Sequence, residues 1–364
     1  MLGIFKENTA VQKLIRTRYE VIFYAENAYY FQYFSHLFEA MQSAGKKTCY
    51  ITSDKNDPVF EKQGPNTDVV FSKSTLAFAF DKLQADVVIM TMPDLGNFIF
   101  KKSAGVKKYV YVFHALVSTH QQYREGAFDH YDTIFMAGPH HEAELREAET
   151  LANSIAKDLV SYGYPLLEQI AGQKNLTPKR QILIAPSWYE EGILQTCIHE
   201  IVQQLAASDY NVLIRPHPEF IKRNKRSFEK LLSTTRKQAN ISLDTNPSLW
   251  NSLLSASHLV TDRSGIAFEY AFVKQRPVIF IDTPHKIQNK NMQSFKSEPV
   301  ENKFRDDLGI RIHPKDLNQL LQMIDETEFK KDNYAKRINS VKPMVVFDAS
   351  FNQDGIDYIN EQLS

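Results

Sequence analysis

Ser257–Asp282 reads SHLVTDRSGIAFEYAFVKQRPVIFID. Its two ends, 257–262 and 276–282, are short apolar runs bounded by turn residues, and continuous runs of this kind suit strands covered on both faces. Between them Arg263-Ser264-Gly265 forms a turn, and Ile266, Ala267, Tyr270 and Ala271 recur on one inward helical face. A strand, a helix and a further strand in one connection make a crossover unit, which predicts a parallel sheet flanked by helices. In such sheets the active groups stand beyond the carboxyl ends of the strands.

The pattern extends outward from this unit. QILIAP (181–186), NVLIRPHP (211–218) and NISL (240–243) are strand candidates before it, and GIRIH (309–313) after it runs into a helix opened by Pro314. The stretch 190–208, EEGILQTCIHEIVQQLAAS, places Ile193, Cys197, Ile198, Ile201, Val202 and Leu205 on one helical face. A first series precedes it: YEVIFYA (19–25), KTCYITS (47–53), DVVIMTM (86–92), KKYVYVFH (107–114) and DTIFMAG (132–138). Polar AGQKNLTPKR (171–180), with Gly172 and Pro178, separates the two series as a linker. The predicted architecture is therefore α/β, with two doubly wound Rossmann-like lobes facing an interdomain cleft. The expected division is 1–170 for the amino-terminal lobe and 171–340 for the carboxyl-terminal lobe. A closing segment, 341–364, carries a helix that crosses back. At 364 residues the chain exceeds the usual size of a single core, as this division requires.

Composition narrows the class without naming a function. Forty-three basic and forty-three acidic residues cancel, so no global field draws the protein to nucleic acid, and no basic stripe interleaved with aromatics is present. Cys49 and Cys197 lie in no metal-like spacing, which predicts free thiols in a reducing compartment. No run approaches the length of a membrane span. The first residues set Leu2, Ile4, Phe5, Val11, Leu14 and Ile15 among Lys6, Lys13, Arg16 and Arg18. That pattern suits either a helix packed on its own lobe, the preferred reading, or peripheral contact with an anionic membrane surface.

Several residues fall at strand ends where chemistry is expected. The helix after Gly265 presents unpaired amides and a positive dipole end, Thr261 and Ser264 add hydroxyls, and Gly265 permits close backbone approach, which together make an anion cradle. Ser-Gly after a strand also serves as a plain helix cap. Glu269, one turn on, has a carboxylate suited to two ribose hydroxyls. Arg215 offers a planar fork for phosphate oxygens and His217 a second donor, while Pro216 and Pro218 stiffen the loop between them. The alternative there is an Arg215 ion pair at a proline turn. His114 closes a strand, and its ordinary pKa suits removal of a proton from an acceptor hydroxyl as well as it suits a structural histidine. Ser187 and Trp188 in LIAPSWYEEG (183–192) are candidates for base contact or for lobe packing. YAENAYYFQYF (24–34) reads as mostly core, and His120, His130, His140 and His141 as surface or capping residues. Gly-x-x-x-x-Gly-Lys-Ser/Thr, Gly-x-Gly-x-x-Gly and Asp-x-Asp are absent, against triphosphatase and dinucleotide readings and weakening a metal-dependent one.

Taken in order, His114, the Ala-Pro-Ser-Trp of ILIAPSWYEEG, Arg215-Pro-His-Pro and VTDRSGIAFEYAFVKQRPVIFID resemble the CDP-glycerol glycerophosphotransferase family of teichoic-acid and capsule synthesis. The likeness runs from the strand before His114 to about Asp282, and SYGYPLLEQI (161–170) resembles the end of the family's first lobe. Ala115, Arg263-Ser264-Gly265 and Glu269 depart from the family's usual glycine, Tyr-Ser-Ser and aspartate. The resemblance implies a GT-B-like pair of lobes with His114 as the acceptor's base and Arg215 with His217 on the donor phosphates. It puts Thr261 and Ser264 in the phosphate cradle and Glu269 on the ribose.

The expected activity is transfer of a polyol phosphate, glycerol phosphate first, from a CDP-linked donor to a hydroxyl of a bacterial surface glycan or lipid-linked acceptor, with release of CMP. No tightly bound cofactor is expected, and no metal ligand is assigned. The place of work is the cytoplasm, with peripheral membrane contact through the amino-terminal segment as an additional expectation. A glycosyltransferase or a UDP-sugar 2-epimerase on the same two lobes is the alternative, and a nucleotide-binding scaffold without turnover is a third.

Overall fold

The structure, a computed structural model, describes residues 2–172, 179–246 and 249–363, the first five of them as backbone alone. Most of the predicted linker, 173–178, lies outside the described residues. On either side of it stand two all-parallel sheets. The first has seven strands: β1 (Tyr19–Ala25), β2 (Thr48–Thr52), β3 (Thr67–Phe71), β4 (Ala85–Met90), β5 (Val106–Val112), β6 (Thr133–Met136) and β7 (Asp158–Ser161). Their spatial order is β3-β2-β1-β4-β5-β6-β7. The second has six: β8 (Gln181–Ile184), β9 (Asn211–Ile214), β10 (Ile241–Leu243), β11 (His258–Thr261), β12 (Val278–Ile281) and β13 (Gly309–Ile312), in the order β10-β9-β8-β11-β12-β13. The strand order reverses between β1 and β4 in one sheet and between β8 and β11 in the other, and a crevice opens beyond the carboxyl ends at such switch points.

Strand β1 shows why apolar runs take this form. Ile22, Phe23 and Tyr24 are buried on both faces while their backbones pair with Cys49, Tyr50 and Ile51 on one side and Val88, Ile89 and Met90 on the other. Two strands escaped the sequence reading. Strand β3 carries only Val69, Val70 and Phe71 in apolar succession, and β7 is an edge strand whose residues are none of them fully buried, so neither makes a long apolar run. The stretch 190–208 differs as well. It forms two helices, Ile193–Thr196 and Ile198–Leu205, because Cys197 at φ −132° leaves helical geometry between them.

The chain crosses back at its end. The helix Lys331–Val345 buries Ile338, Val341 and Val345, and a Cβ on Gly138 would sit 2.0 Å from the Val345 carbonyl oxygen, so only glycine admits this approach. The helix Asn352–Gln362 then lies on the first sheet, with Ile359 in the core and the Tyr358 hydroxyl 2.7 Å from Thr133 Oγ1. One apolar cluster runs unbroken from Val88 and Tyr111 of the first sheet through Leu166 and Leu167 to Phe268 and Phe272, so the two sheets share a core beside the crevice. The helix Leu2–Arg16 puts Val11 and Leu14 into that same cluster, as the packed reading of the first segment requires. Cys49 and Cys197 are free and buried.

Candidate functional site

His114 stands two residues beyond β5 and is half-buried among rings. Tyr30 meets it edge to face at 5.4 Å between centroids, Tyr33 lies at 6.0 Å, and the Tyr111 hydroxyl is 3.4 Å from Nδ1. Burial pushes its pKa down to about 4, opposed by the backbone of Thr91. The imidazole is therefore neutral at pH 7, with a lone pair available to accept a proton. The loop that follows is tied to the other half of the molecule. Glu301 accepts from the Ser118 amide and from Gln121 Nε2, both at 3.0 Å, and the Ser118 hydroxyl accepts from the Val300 amide at 2.8 Å.

Across the crevice, Arg215 leaves the end of β9 and gives Nη1 to Asp244 Oδ2 at 2.7 Å. Asp244 is buried and also accepts from the Ser252 hydroxyl, so the guanidinium is held from behind by a carboxylate that is itself held. The ion-pair alternative for Arg215 is thus realised, and it aims the side chain. His217 caps the helix Pro218–Arg223, its Nδ1 accepting from the Glu219 amide at 3.2 Å. With Nδ1 as acceptor, the neutral ring carries its proton on Nε2, facing outward as a donor. Enclosure by surrounding protein, followed by Lys286, lowers the pKa of His217, with Glu219 opposing and Arg215 adding to the effect. Trp188 lies 6.1 Å from the His217 ring, and Arg223 covers one of its faces.

The turn after β11 is organised by Asp262, which is fully buried. It accepts from the amides of Ser187 and Arg263 at 2.7 Å and of Ile193 at 3.1 Å, joining the ends of β8 and β11. Ser264 and Gly265 remain partly exposed, and the amides of Ser264, Gly265 and Ile266 find no acceptor among the described residues. A Cβ on Gly265 would lie 3.0 Å from Val117 Cγ1 and 3.9 Å from Ala115 Cβ. The open helix start therefore faces the loop that His114 begins. A small void beneath it is lined by Asp262, Arg263, Ser264, Glu301 and Arg305.

Several expectations are corrected. Thr261 does not belong to the cradle, because its hydroxyl is fully buried and donates to the Ala185 carbonyl at 2.8 Å. The Arg263 side chain, to which the sequence assigned no role, is held elsewhere, its Nε and Nη2 donating to the Thr283 carbonyl. Ser187 is buried with its hydroxyl unpartnered and its amide on Asp262, so it braces the turn behind the crevice surface. Glu269 is deep rather than open. Oε1 accepts from the Tyr164 hydroxyl at 2.7 Å, and burial raises its pKa to about 7. His120 and His141 are interior, not surface: His141 bonds the Val117 carbonyl, and His120 stacks on Phe295 beside buried Glu144.

Three participants gave no local signal. Tyr164 closes a bridge between the lobes, its hydroxyl 3.1 Å from the His114 carbonyl oxygen as well as on Glu269. Lys286, on the loop after β12, has no ion pair or hydrogen bond to its ammonium among those described. Burial lowers its pKa, and its nearest opposing charges are Asp262 and Glu301. The third, Asp262, stood in the quoted motif without a role. Among the described residues no group of three or more His, Cys, Asp or Glu side chains is placed to hold a metal ion.

The chain matches the family described as CDP-glycerol:poly(glycerophosphate) glycerophosphotransferase over residues 9–287. No curated protein sequence matches it. Among solved structures, the wall teichoic acid polymerase TagF soaked with CDPG aligns over 100% of this chain and 94% of its own, at 15% identity and a TM-score of 0.60. The UDP-GlcNAc 2-epimerase of Methanocaldococcus jannaschii aligns over 95% and 100%, at 12% identity and 0.57. S. aureus MnaA with UDP aligns over 95% and 96%, at 13% and 0.60. At these identities the likeness shows a shared GT-B-like α/β fold.

Proposed function

Since the chain belongs to the CDP-glycerol:poly(glycerophosphate) glycerophosphotransferase family, it is a transferase of glycerol phosphate from CDP-glycerol, and we propose how its crevice performs that transfer. The donor diphosphate rests on the free amides at Ser264–Ile266, flanked by the Arg215 guanidinium, His217 Nε2–H and the Lys286 ammonium. A helix amino end with cations placed beforehand stabilises the charge that builds as phosphorus changes partners. Glu269, closed off by Tyr164 in this structure, receives the ribose hydroxyls only once that contact opens. His114 accepts the proton of the acceptor hydroxyl as its oxygen attacks the glycerol-side phosphorus. The new oxygen–phosphorus bond forms as the bond to the CMP oxygen breaks, and CMP leaves.

One observation supports the reading: the helix start at Gly265 packs against the loop that follows His114, where an added Cβ would lie 3.0 Å from Val117 Cγ1 and 3.9 Å from Ala115 Cβ, although the two segments are far apart in sequence. The chain should release CMP from CDP-glycerol when a hydroxyl acceptor is present and should not turn over UDP-N-acetylglucosamine. A general base of this kind contributes about 10²–10⁴-fold. His114→Ala should therefore lower kcat at least about 100-fold in a folded protein. A loss under about tenfold overturns the role of His114, and UDP release in place of CMP overturns the donor and favours the epimerase-like alternative.

We place this work at the cytoplasmic side of the membrane. The thiols are free, and among the described residues no helix is long and apolar enough to cross a membrane. Val11 and Leu14 face the protein's own core, and the side chains of Leu2, Ile4 and Phe5, on which the expected lipid contact also rests, lie outside the described residues.

A further inference from the structure

Tyr164 stands just beyond β7, where the chain leaves the first sheet. Gly163 before it holds φ at +84°, a conformation that suits glycine, and Pro165 after it opens the helix Pro165–Ala171. From this fixed corner the side chain turns inward and is almost wholly buried. Its ring lies 5.6 Å from that of Tyr33, which in turn lies 6.0 Å from the His114 ring. The phenol thus belongs mechanically to the half that carries the base. Its hydroxyl reaches two acceptors: Glu269 Oε1 at 2.7 Å in the opposite half, and the His114 carbonyl oxygen at 3.1 Å in its own.

A phenol has one proton to give, so the two bonds compete. An ionised carboxylate draws that proton more strongly than a backbone carbonyl does, and the two distances follow this order. Tyr164 is also the donor that favours the ionised form of Glu269 against its burial. Ribose hydroxyls that turn the carboxylate toward themselves replace this donor with two others. The phenol, packed against Tyr33, stays behind with its second acceptor, the backbone of the base.

Resting on the transferase reading given above, we infer that Tyr164 is a positioning residue that reports donor occupancy to the base: the ribose hydroxyls of CDP-glycerol displace it from Glu269, and its hydroxyl then closes on the His114 carbonyl. The backbone of His114 is pinned to the Tyr164 corner only when a donor phosphorus is in place. Misplacing a reacting group by about 1 Å costs about 100-fold in rate, so one bond at the backbone of the base is enough to gate turnover. The donor therefore binds before the acceptor can react, and an empty crevice keeps its base slack.

The test uses the full chain at pH 8, above the Glu269 pKa of about 7, with a short poly(glycerol phosphate) primer or a p-nitrophenyl N-acetylhexosaminide as acceptor. Two donors are compared, CDP-glycerol and its 2′,3′-dideoxyribose analogue, which has no ribose hydroxyl to offer Glu269. In the native chain the analogue should turn over with a kcat lower by about tenfold or more, because Tyr164 stays on Glu269. Tyr164→Phe keeps the ring and should give both donors the same low kcat. It should also bind CDP-glycerol about tenfold more tightly in calorimetric titration, since no bond to a charged acceptor has to break first. A residue that merely braced the fold would shift that affinity the other way. Equal kcat for the two donors in the native chain, or weaker donor binding by folded Tyr164→Phe, overturns the inference and leaves the transferase intact. The donor comparison on the native chain decides alone should the variant fold poorly. No CMP release from CDP-glycerol with either acceptor overturns the transferase reading and the inference with it.

Discussion

Glu269 shows how one buried atom pair couples folding to binding. Its pKa of about 7 in the folded chain lies well above the usual carboxylate value, because desolvation outweighs the bond from Tyr164. The folded protein therefore holds a proton that the unfolded chain has released, and stability is lost as pH rises from about 4.5 through 7. A shift of this size corresponds to about 3 kcal/mol at most. Glu269→Gln should stabilise the protein more at pH 8 than at pH 5, as read by urea unfolding. If the ionised carboxylate receives the ribose hydroxyls, the donor KM of the native chain should fall as pH rises through 7, and that dependence should vanish in Glu269→Gln. A pH-independent donor KM in the native chain would remove Glu269 from the ribose. At this scale Arg215, His217 and His114 could be singled out as candidates because each follows an apolar strand. Tyr164 and Lys286 were not, since their place comes from packing between distant segments.

The elements around the crevice are joined by Asp262 more than by any other side chain at the turn. Both of its oxygens accept backbone amides, from three positions on two loops, in a fully buried setting. Asn in its place must turn an amide donor toward one of these N–H groups. Asp262→Asn should cost about 2–3 kcal/mol of stability and weaken donor binding with it. An unchanged denaturation midpoint would show that the turn is held by other contacts. The crossover 257–282 was readable because its two strands are fully apolar and its turn carries Ser-Gly. The short edge strand β7 was not, because a partly exposed strand of four residues makes no apolar run. The break at Cys197 left no mark either, as the helical spacing of apolar residues continues across it.

For the molecule as a whole, several histidines are neutral by burial. His114 and His258 are both pushed down to about 4 by desolvation, and His141 is pushed well below its ordinary value. The unfolded chain takes up protons near the ordinary histidine pKa that the folded chain refuses, so stability falls as pH drops from about 6.5 toward 4. Carboxyls raised by burial, Glu269 and Glu301 among them, act in the opposite sense over part of that window, and His217, also pushed down to about 4, adds to the histidines. The thermal midpoint should therefore decline steadily below pH 6.5, and His258→Gln, remote from the crevice, should lessen the decline. A midpoint constant down to pH 4.5 would contradict this. The two-lobed plan and the returning helix were visible in the order of elements. That the lobes share a continuous core was not, because periodicity reports which face is buried and not what buries it.

Ser118 with Glu301 and Tyr164 with Glu269 fasten the halves together within a few residues of the reacting groups. With the proposed roles, the mechanical seam of the protein is also where donor and acceptor meet. Anything that pries the halves apart, whether a mild chaotrope or a departing product, silences turnover before either half unravels.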